Sequence, residues 1–153
     1  MSAKNIITFR LDKQLFGIEM GSISEILTFD TITSVPETKE WMVGIMNVRG
    51  VATPIIDLRI RFKTNLNPVY NQNTVIIAAK MENKSVVGYI IDEIKDILTI
   101  DESDITSQGL LQSAIDAEFV KGYVMGGAQT IIIFDATKLI SQKDKEELFE
   151  IGF

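Results

Sequence analysis

The sequence predicts an all-β chain built from two small closed barrels in tandem, and three observations carry that reading. Short runs rich in β-branched and aliphatic residues recur along the chain with turn residues between them. The second half repeats the first at a nearly constant offset. Helical periodicity is weak everywhere except in the last dozen residues.

The elements follow in order. Residues 6–11 alternate apolar and polar, pass through the polar turn Asp12-Lys13-Gln14 and re-enter an apolar run at Leu15-Phe16-Gly17-Ile18, the pattern of a β-hairpin. Further β-branched runs lie at 53–58, 74–79, 86–91 and 130–134. Pro36, followed by Glu37 and Glu40, predicts one short helix over 36–41, because proline and acids favour a first helical turn. Four asparagines and Pro68 mark residues 65–73 as a linker. At the C-terminus Ser141-x-x-Asp144 matches a capping pattern, and Leu148, Phe149 and Ile151 supply an apolar side, so residues 141–153 read as a helix.

The repeat is visible within this one chain. At an offset of 71, Lys13, Gly17, Ile23, Ile26, Leu27 and Thr28 fall on Lys84, Gly88, Ile94, Ile97, Leu98 and Thr99. At an offset of 78, Gly44 falls on Gly122, Ile55 on Ile133, Asp57 on Asp135 and Trp41 on Phe119. The change of offset places seven extra residues in the second copy, most simply within 101–118. Subdomain 1 is therefore expected over about 6–64 and subdomain 2 over about 74–140. Closing each into a barrel removes exposed sheet edges, and two barrels leave a groove between them.

Composition closes several functional doors. The 153 residues include no cysteine and no histidine, which removes thiol and imidazole chemistry and the usual zinc sites. No metal, cofactor or catalytic residue is expected, and no stretch approaches the roughly 20 apolar residues of a membrane helix. The start lacks a signal-peptide pattern, and a chain without cysteine suits the cytoplasm. The formal net charge of -6 argues against nucleic-acid binding, which depends on clustered cations. Residues 1–72 carry eight basic and seven acidic side chains, a net of +1; residues 73–153 carry seven and fourteen, a net of -7. Such polarity would suit head-to-tail association. Gly126-Gly127 lacks a phosphate-loop context, and the acidic clusters near Asp92 and Asp101 lack EF-hand spacing.

A duplicated fold supplies its own control, because residues needed only for folding tend to recur. Gly44 and Asp57 recur, which marks them as a position where a side chain would clash and as an acid bonding backbone groups at a strand end. The turn Asn47-x-Arg49-Gly50 does not recur: its counterparts are Met125, Gly127 and Ala128. Arg49 is therefore either a hairpin-surface arginine or an anchor for a partner, a guanidinium offering five donors in a fixed fork. Glu25, whose repeat mate is Asp96, reads either as a recurring acid that belongs to the barrel or as the carboxylate that orients Arg49, two readings that the distance from Glu25 to Arg49 separates. Ile23 and Ile26 read as strand packing or as an apolar rim beside Arg49 suited to a partner helix. Trp41 reads as a plug between the barrels, since its mate is Phe119.

Val43-Gly44-Ile45-Met46-Asn47-Val48-Arg49-Gly50 followed by Pro54-Ile55-Ile56-Asp57-Leu58 resembles the hallmark segment of the CheW-like domain of bacterial chemotaxis. Phe16-Gly17-Ile18, residues 23–27 and residues 87–94 look like the same family, so the resemblance runs from about 6 to 140. It implies two SH3-like five-stranded barrels and leaves open whether strands are exchanged between them. It further implies a non-enzymatic adaptor that couples methyl-accepting chemoreceptor tips to the regulatory domain of the histidine kinase CheA. Such an adaptor is cytoplasmic and recruited to membrane-bound receptor arrays without inserting into the membrane. Carried over by residue, the expected partner-binding set is Ile23, Glu25, Gly44, Asn47 and Arg49. The rival readings are a two-barrel adaptor of another kinase system, a small-ligand-binding or nucleotide-binding protein, and a carboxylate-based hydrolase.

Overall fold

The computed structural model describes residues 3–35, 39–82, 84–106, 119–126, 129–140 and 144. Its strands in chain order are β1 (Ala3–Leu11), β2 (Gln14–Glu19), β3 (Ile23–Thr28), β4 (Ile32–Thr33), β5 (Met42–Val48), β6 (Val51–Asp57), β7 (Val75–Lys80), β8 (Val86–Ile91), β9 (Glu93–Asp101), β10 (Val120–Gly126) and β11 (Gln129–Phe134). One helical turn, α1 (Leu58–Arg61), follows β6. The first hairpin closes more tightly than the sequence indicates: Gln14 already pairs with Leu11, which leaves a two-residue turn at Asp12-Lys13 with Asp12 at φ 55°.

The strands form a five-stranded sheet ordered β10-β11-β2-β1-β9 and a six-stranded sheet ordered β3-β7-β8-β6-β5-β4, in which β4 is a two-residue addition. Each sheet borrows a hairpin from the other copy of the repeat. The β1–β2 hairpin joins β9–β11, and the β7–β8 hairpin joins β3–β6, so the exchange of strands is real and neither sheet consists of 6–64 or 74–140 alone. The exchange is reciprocal to the residue. Gly17 of β2 lies parallel beside Ile133 of β11, while its mate Gly88 of β8 lies parallel beside Ile55 of β6, the mate of Ile133. It also interleaves the two halves of the chain, so the charges regroup. Residues 23–92, which carry the six-stranded sheet, hold seven basic and seven acidic side chains, a net of 0, whereas residues 1–22 with 93–140, which carry the five-stranded sheet, hold six and ten, a net of -4.

Exchange explains why the central strands read as unbroken apolar runs. Successive side chains point to opposite faces of a strand. One face fills a barrel: Met46, Ile55, Ile76 and Ile90 form one interior, and Ile6, Val124, Ile131 and Ile133 the other. The opposite face meets the second barrel in a larger shared core that includes Phe9, Phe16, Ile56, Ile77, Tyr89 and Phe134. Ile55 and Ile56, or Ile76 and Ile77, thus serve different cores from adjacent positions. Trp41 packs against the shared core, as its repeat mate Phe119 does.

Two expectations meet the structure differently. Of the short helix expected over 36–41, residues 36–38 lie outside the described residues, and Lys39 to Trp41 form a turn that leads into β5 instead. The chain must reverse there because Trp41 accepts from the Asp57 N–H at 2.8 Å, a bond repeated between Asp135 and Phe119 at 2.9 Å. Of the C-terminal helix only Asp144 is described, and it is helical. Within the expected insertion, residues 102–104 form a 3₁₀ turn capped by Asp101, and residues 107–118 lie outside the described residues.

Candidate protein-partner interface

The Asn47–Gly50 turn is shaped by its own sequence. Val48 pairs with Val51 across a two-residue turn in which Arg49 and Gly50 both take positive φ, 50° and 82°. That pattern is a type I′ hairpin turn, whose twist matches the flanking strands. The Asn47 carboxamide oxygen accepts from the Gly50 N–H at 2.7 Å and locks it. Asn47 is exposed, yet its acceptor is committed to the turn.

Arg49 projects from this turn to Glu25 on β3. Nη1 donates to Oε2 at 2.8 Å and Nη2 donates to Oε1, a two-pronged fork. The bond to Glu25 raises the arginine pKa further above its ordinary value. In sheet order β7 and β8 stand between β3 and β6. In a flat sheet that is about 14 Å at ~4.8 Å per strand. Contact between the two side chains therefore reports closure of the sheet into a barrel. The Arg49 side chain nevertheless stays 74% exposed, beside a largely exposed Val51.

The remaining expected residues sit differently. Ile23 is half-buried at the start of β3 and packs against the shared core, while Ile26, one pleat beyond Glu25, is exposed. Gly44 is buried at the β5 bulge, where a Cβ would stand 2.2 Å from the Thr33 carbonyl oxygen. It faces β4 of its own chain, where the missing side chain lets β4 pass and sets the course of β5. The structure thus brings together Glu25, Asn47 and Arg49, with Ile23 and Ile26 on the adjoining strand.

A second polar cluster escaped the sequence reading. Asp57, 0% exposed, accepts from the Arg59 backbone N–H at 2.9 Å as expected of a strand-end acid. It also accepts from Arg59 Nε and Nη2, both at 3.0 Å, and from the Tyr70 hydroxyl at 2.7 Å. Burial works against the Arg59 charge, and the bonds and charge of Asp57 outweigh it. The linker is thus pinned at Tyr70, whose ring stacks on Phe29 at 5.2 Å. The signal was the Asp57-x-Arg59 spacing after a strand, masked by a segment that resembles a charged helix surface.

Burial, then the bond to Asp57, pushes the Tyr70 phenol well above its ordinary pKa, and burial does the same for Tyr89, whose hydroxyl donates to the Ala136 carbonyl at 2.9 Å. Both folded values lie above the ~10 of a free tyrosine, so their contribution to stability is complete below about pH 10 and is lost as pH rises beyond it. An absorbance titration should find these two of the three tyrosines withheld in the native protein through about pH 11 and released in denaturant. Full ionisation of the native protein by that pH would contradict it.

Among the described residues no three acidic side chains gather where a metal ion could sit, and no helix is long and apolar enough to cross a membrane. The chain matches the family described as the CheW-like domain over residues 5–144. It is 29% identical over 141 residues to the chemotaxis protein CheW of Klebsiella aerogenes, covering 92% of this chain and 84% of that one. It is 30% identical over 144 residues to a probable chemotaxis protein CheW of Rhizobium etli, covering 94% and 91%. Among solved structures it is similar to the scaffolding protein TtCheW of Thermoanaerobacter tengcongensis, with a TM-score of 0.84, 30% identity and coverage of 97% and 94%.

Proposed function

The chain belongs to the CheW-like domain family, and on that premise we propose that it acts as a non-enzymatic chemotaxis adaptor coupling methyl-accepting chemoreceptors to the histidine kinase CheA. Its contribution is binding free energy: by holding receptor and kinase in one assembly it lets a change in either shift the population of the other. The kinase partner is the regulatory domain of CheA, met barrel against barrel in a heterologous contact that can close into rings. The receptor's helical tip lies apolar face down in the groove between barrels. The protein works on the cytoplasmic side of the membrane, held at receptor arrays by these contacts.

The observation that carries this reading is the Arg49–Glu25 fork. Pairing fixes the guanidinium and leaves most of it exposed, which presents an anchor whose side-chain entropy is already lost before binding. Ile23 and Ile26 supply the apolar rim, and Gly44 and Asn47 hold the turn in place.

Calorimetric titration against the CheA regulatory domain, and separately against a receptor-tip hairpin, tests it. Arg49→Ala should weaken at least one of these by about tenfold or more while the melting temperature moves by less than about 3 °C, since an exposed pair adds little stability. No heat and no co-elution with either partner at about 50 μM would sink the reading, because that concentration already exceeds ordinary micromolar affinities. A large fall in melting temperature would instead make Arg49 a folding residue.

A further inference from the structure

The internal repeat exposes an arginine that the adaptor reading does not use. At the offset of 78, Arg61 at the end of α1 corresponds to Leu139, and Phe62 corresponds to Ile140. Leu139 and Ile140 are 1% and 2% exposed in the shared core. The fold therefore asks for an apolar side chain at this position, and the first copy supplies a guanidinium.

That guanidinium is boxed by rings. Its central carbon lies 5.6 Å from the Trp41 ring centroid, 5.7 Å from Phe62 and 5.4 Å from Phe119. Nε is buried and has no hydrogen-bond partner among the described residues. None of the ion pairs formed among the described residues includes Arg61, whereas Arg59, two residues earlier, is held by Asp57 and faces Asp92. Aromatic faces attract a cation, but they satisfy its plane and leave the N–H edge unfilled. An Nε–H withdrawn from water and left without an acceptor among the described residues costs stability, while the terminal Nη groups are not buried with it.

We propose that the Arg61 box is a docking point for a carboxylate side chain of a protein partner. A planar fork clamped between rings presents its edge in the geometry that a carboxylate takes bidentately. Trp41, Arg61 and Phe62 are each only half-buried, so the box reaches the surface. Polyanions such as nucleic acid are disfavoured by the net charge of -6. The box lies at the opposite end of β6 from Arg49. Seven residues at ~3.3 Å each put the two anchors about 20 Å apart, which makes them separate contacts. Only the identity of the partner rests on the adaptor reading; the carboxylate preference rests on the box.

Trp41 is the sole tryptophan and touches the guanidinium, so its emission reports the site directly. The full chain is titrated with a six-residue glutamate peptide, with the matching glutamine peptide as control, and then with the CheA regulatory domain and the receptor-tip hairpin. Expected is a saturable Trp41 change with the glutamate peptide only, weakened about tenfold or more in Arg61→Leu and partly retained in Arg61→Lys. Arg61→Leu should keep or raise the melting temperature, by about 2–4 °C, because it restores the pattern of the second copy. One of the two partner domains should lose affinity for Arg61→Leu in parallel. Equal responses to the two peptides, or an unchanged response in Arg61→Leu, overturns the proposal. So does a fall of several degrees in both variants, which would mean that the guanidinium is already satisfied within the chain. Failure of the wild-type chain to bind either partner domain would strike at the adaptor reading alone, and the peptide result would still decide this one.

Discussion

Gly44→Ala should remove a large share of the protein's folding stability. A Cβ at this position would meet the Thr33 carbonyl oxygen at 2.2 Å, the Thr33 carbonyl carbon at 2.8 Å and the Ile32 Cγ2 at 2.8 Å. Two of these three atoms are backbone, held by the pairing of β4 with β5, so neither can swing aside as a side-chain tip would. The φ of +152° is itself closed to L side chains. Steric overlap and backbone strain together cost on the order of 4 kcal/mol or more, a large share of the 5–15 kcal/mol that holds an ordinary domain. At 2–4 °C per kcal/mol the melting temperature falls by roughly 10 °C or more. Two other glycines grade the cause. Gly50 has φ +82° but open space, so Gly50→Ala isolates strain and costs about 1 kcal/mol. Gly21 has neither constraint, and Gly21→Ala should be nearly silent. Thermal melts of the three variants check this order, and a Gly44→Ala protein as stable as Gly21→Ala would refute it.

That Gly44 and Asp57 are structural could be read from recurrence alone, because both copies must solve the same bulge and the same strand end. The bulges do coincide: pairing slips between Met42 and Gly44 in one copy and between Val120 and Gly122 in the other. The strands and the hairpins were legible for similar reasons of pattern, whereas the sequence offered the pairing of Glu25 with Arg49 as one of two readings and only the closed sheet decides it. Which hairpin pairs with which barrel was not. Placing Gly17 beside Ile55 or beside Ile133 buries the same kinds of residue, so a repeated sequence states the equivalence of two sites without choosing between them. The chain also gave no local sign that Arg59 is buried, since a linker residue eleven positions later, Tyr70, closes over it. Arg61 is signalled only by standing opposite Leu139, an unlike residue at an equivalent position, whereas recurrence marks like residues.

Asp57→Asn should be nearly as damaging as the glycine substitution, for an electrostatic reason. The Asp57 carboxylate is the sole buried acid among the described residues, and it serves four donors: the Arg59 backbone N–H, Nε and Nη2 of Arg59, and the Tyr70 hydroxyl. An amide keeps the volume but replaces one acceptor oxygen with a donor, which would face a donor, and it leaves the Arg59 cation buried without a counter-charge. Removing one member of such a pair costs about 3–5 kcal/mol, or roughly 10 °C here. The damage should spread between sheets. Arg59 Nη1 lies 3.7 Å from Asp92 Oδ1, and Asp92 Oδ2 accepts from the Asp12 N–H at 2.7 Å in the β1–β2 turn of the other sheet. Tyr70→Phe, which keeps the stack on Phe29 and loses one bond to a charged acceptor, should cost about 1.5–3 kcal/mol. The decisive variant is the double replacement Asp57→Leu with Arg59→Leu. If the loss in Asp57→Asn comes from an orphaned cation, removing both charges recovers much of it. If the double variant melts lower than Asp57→Asn, the cluster stabilises the seam outright, and the ion pairs between the sheets hold the barrels together beyond what their shared apolar core provides.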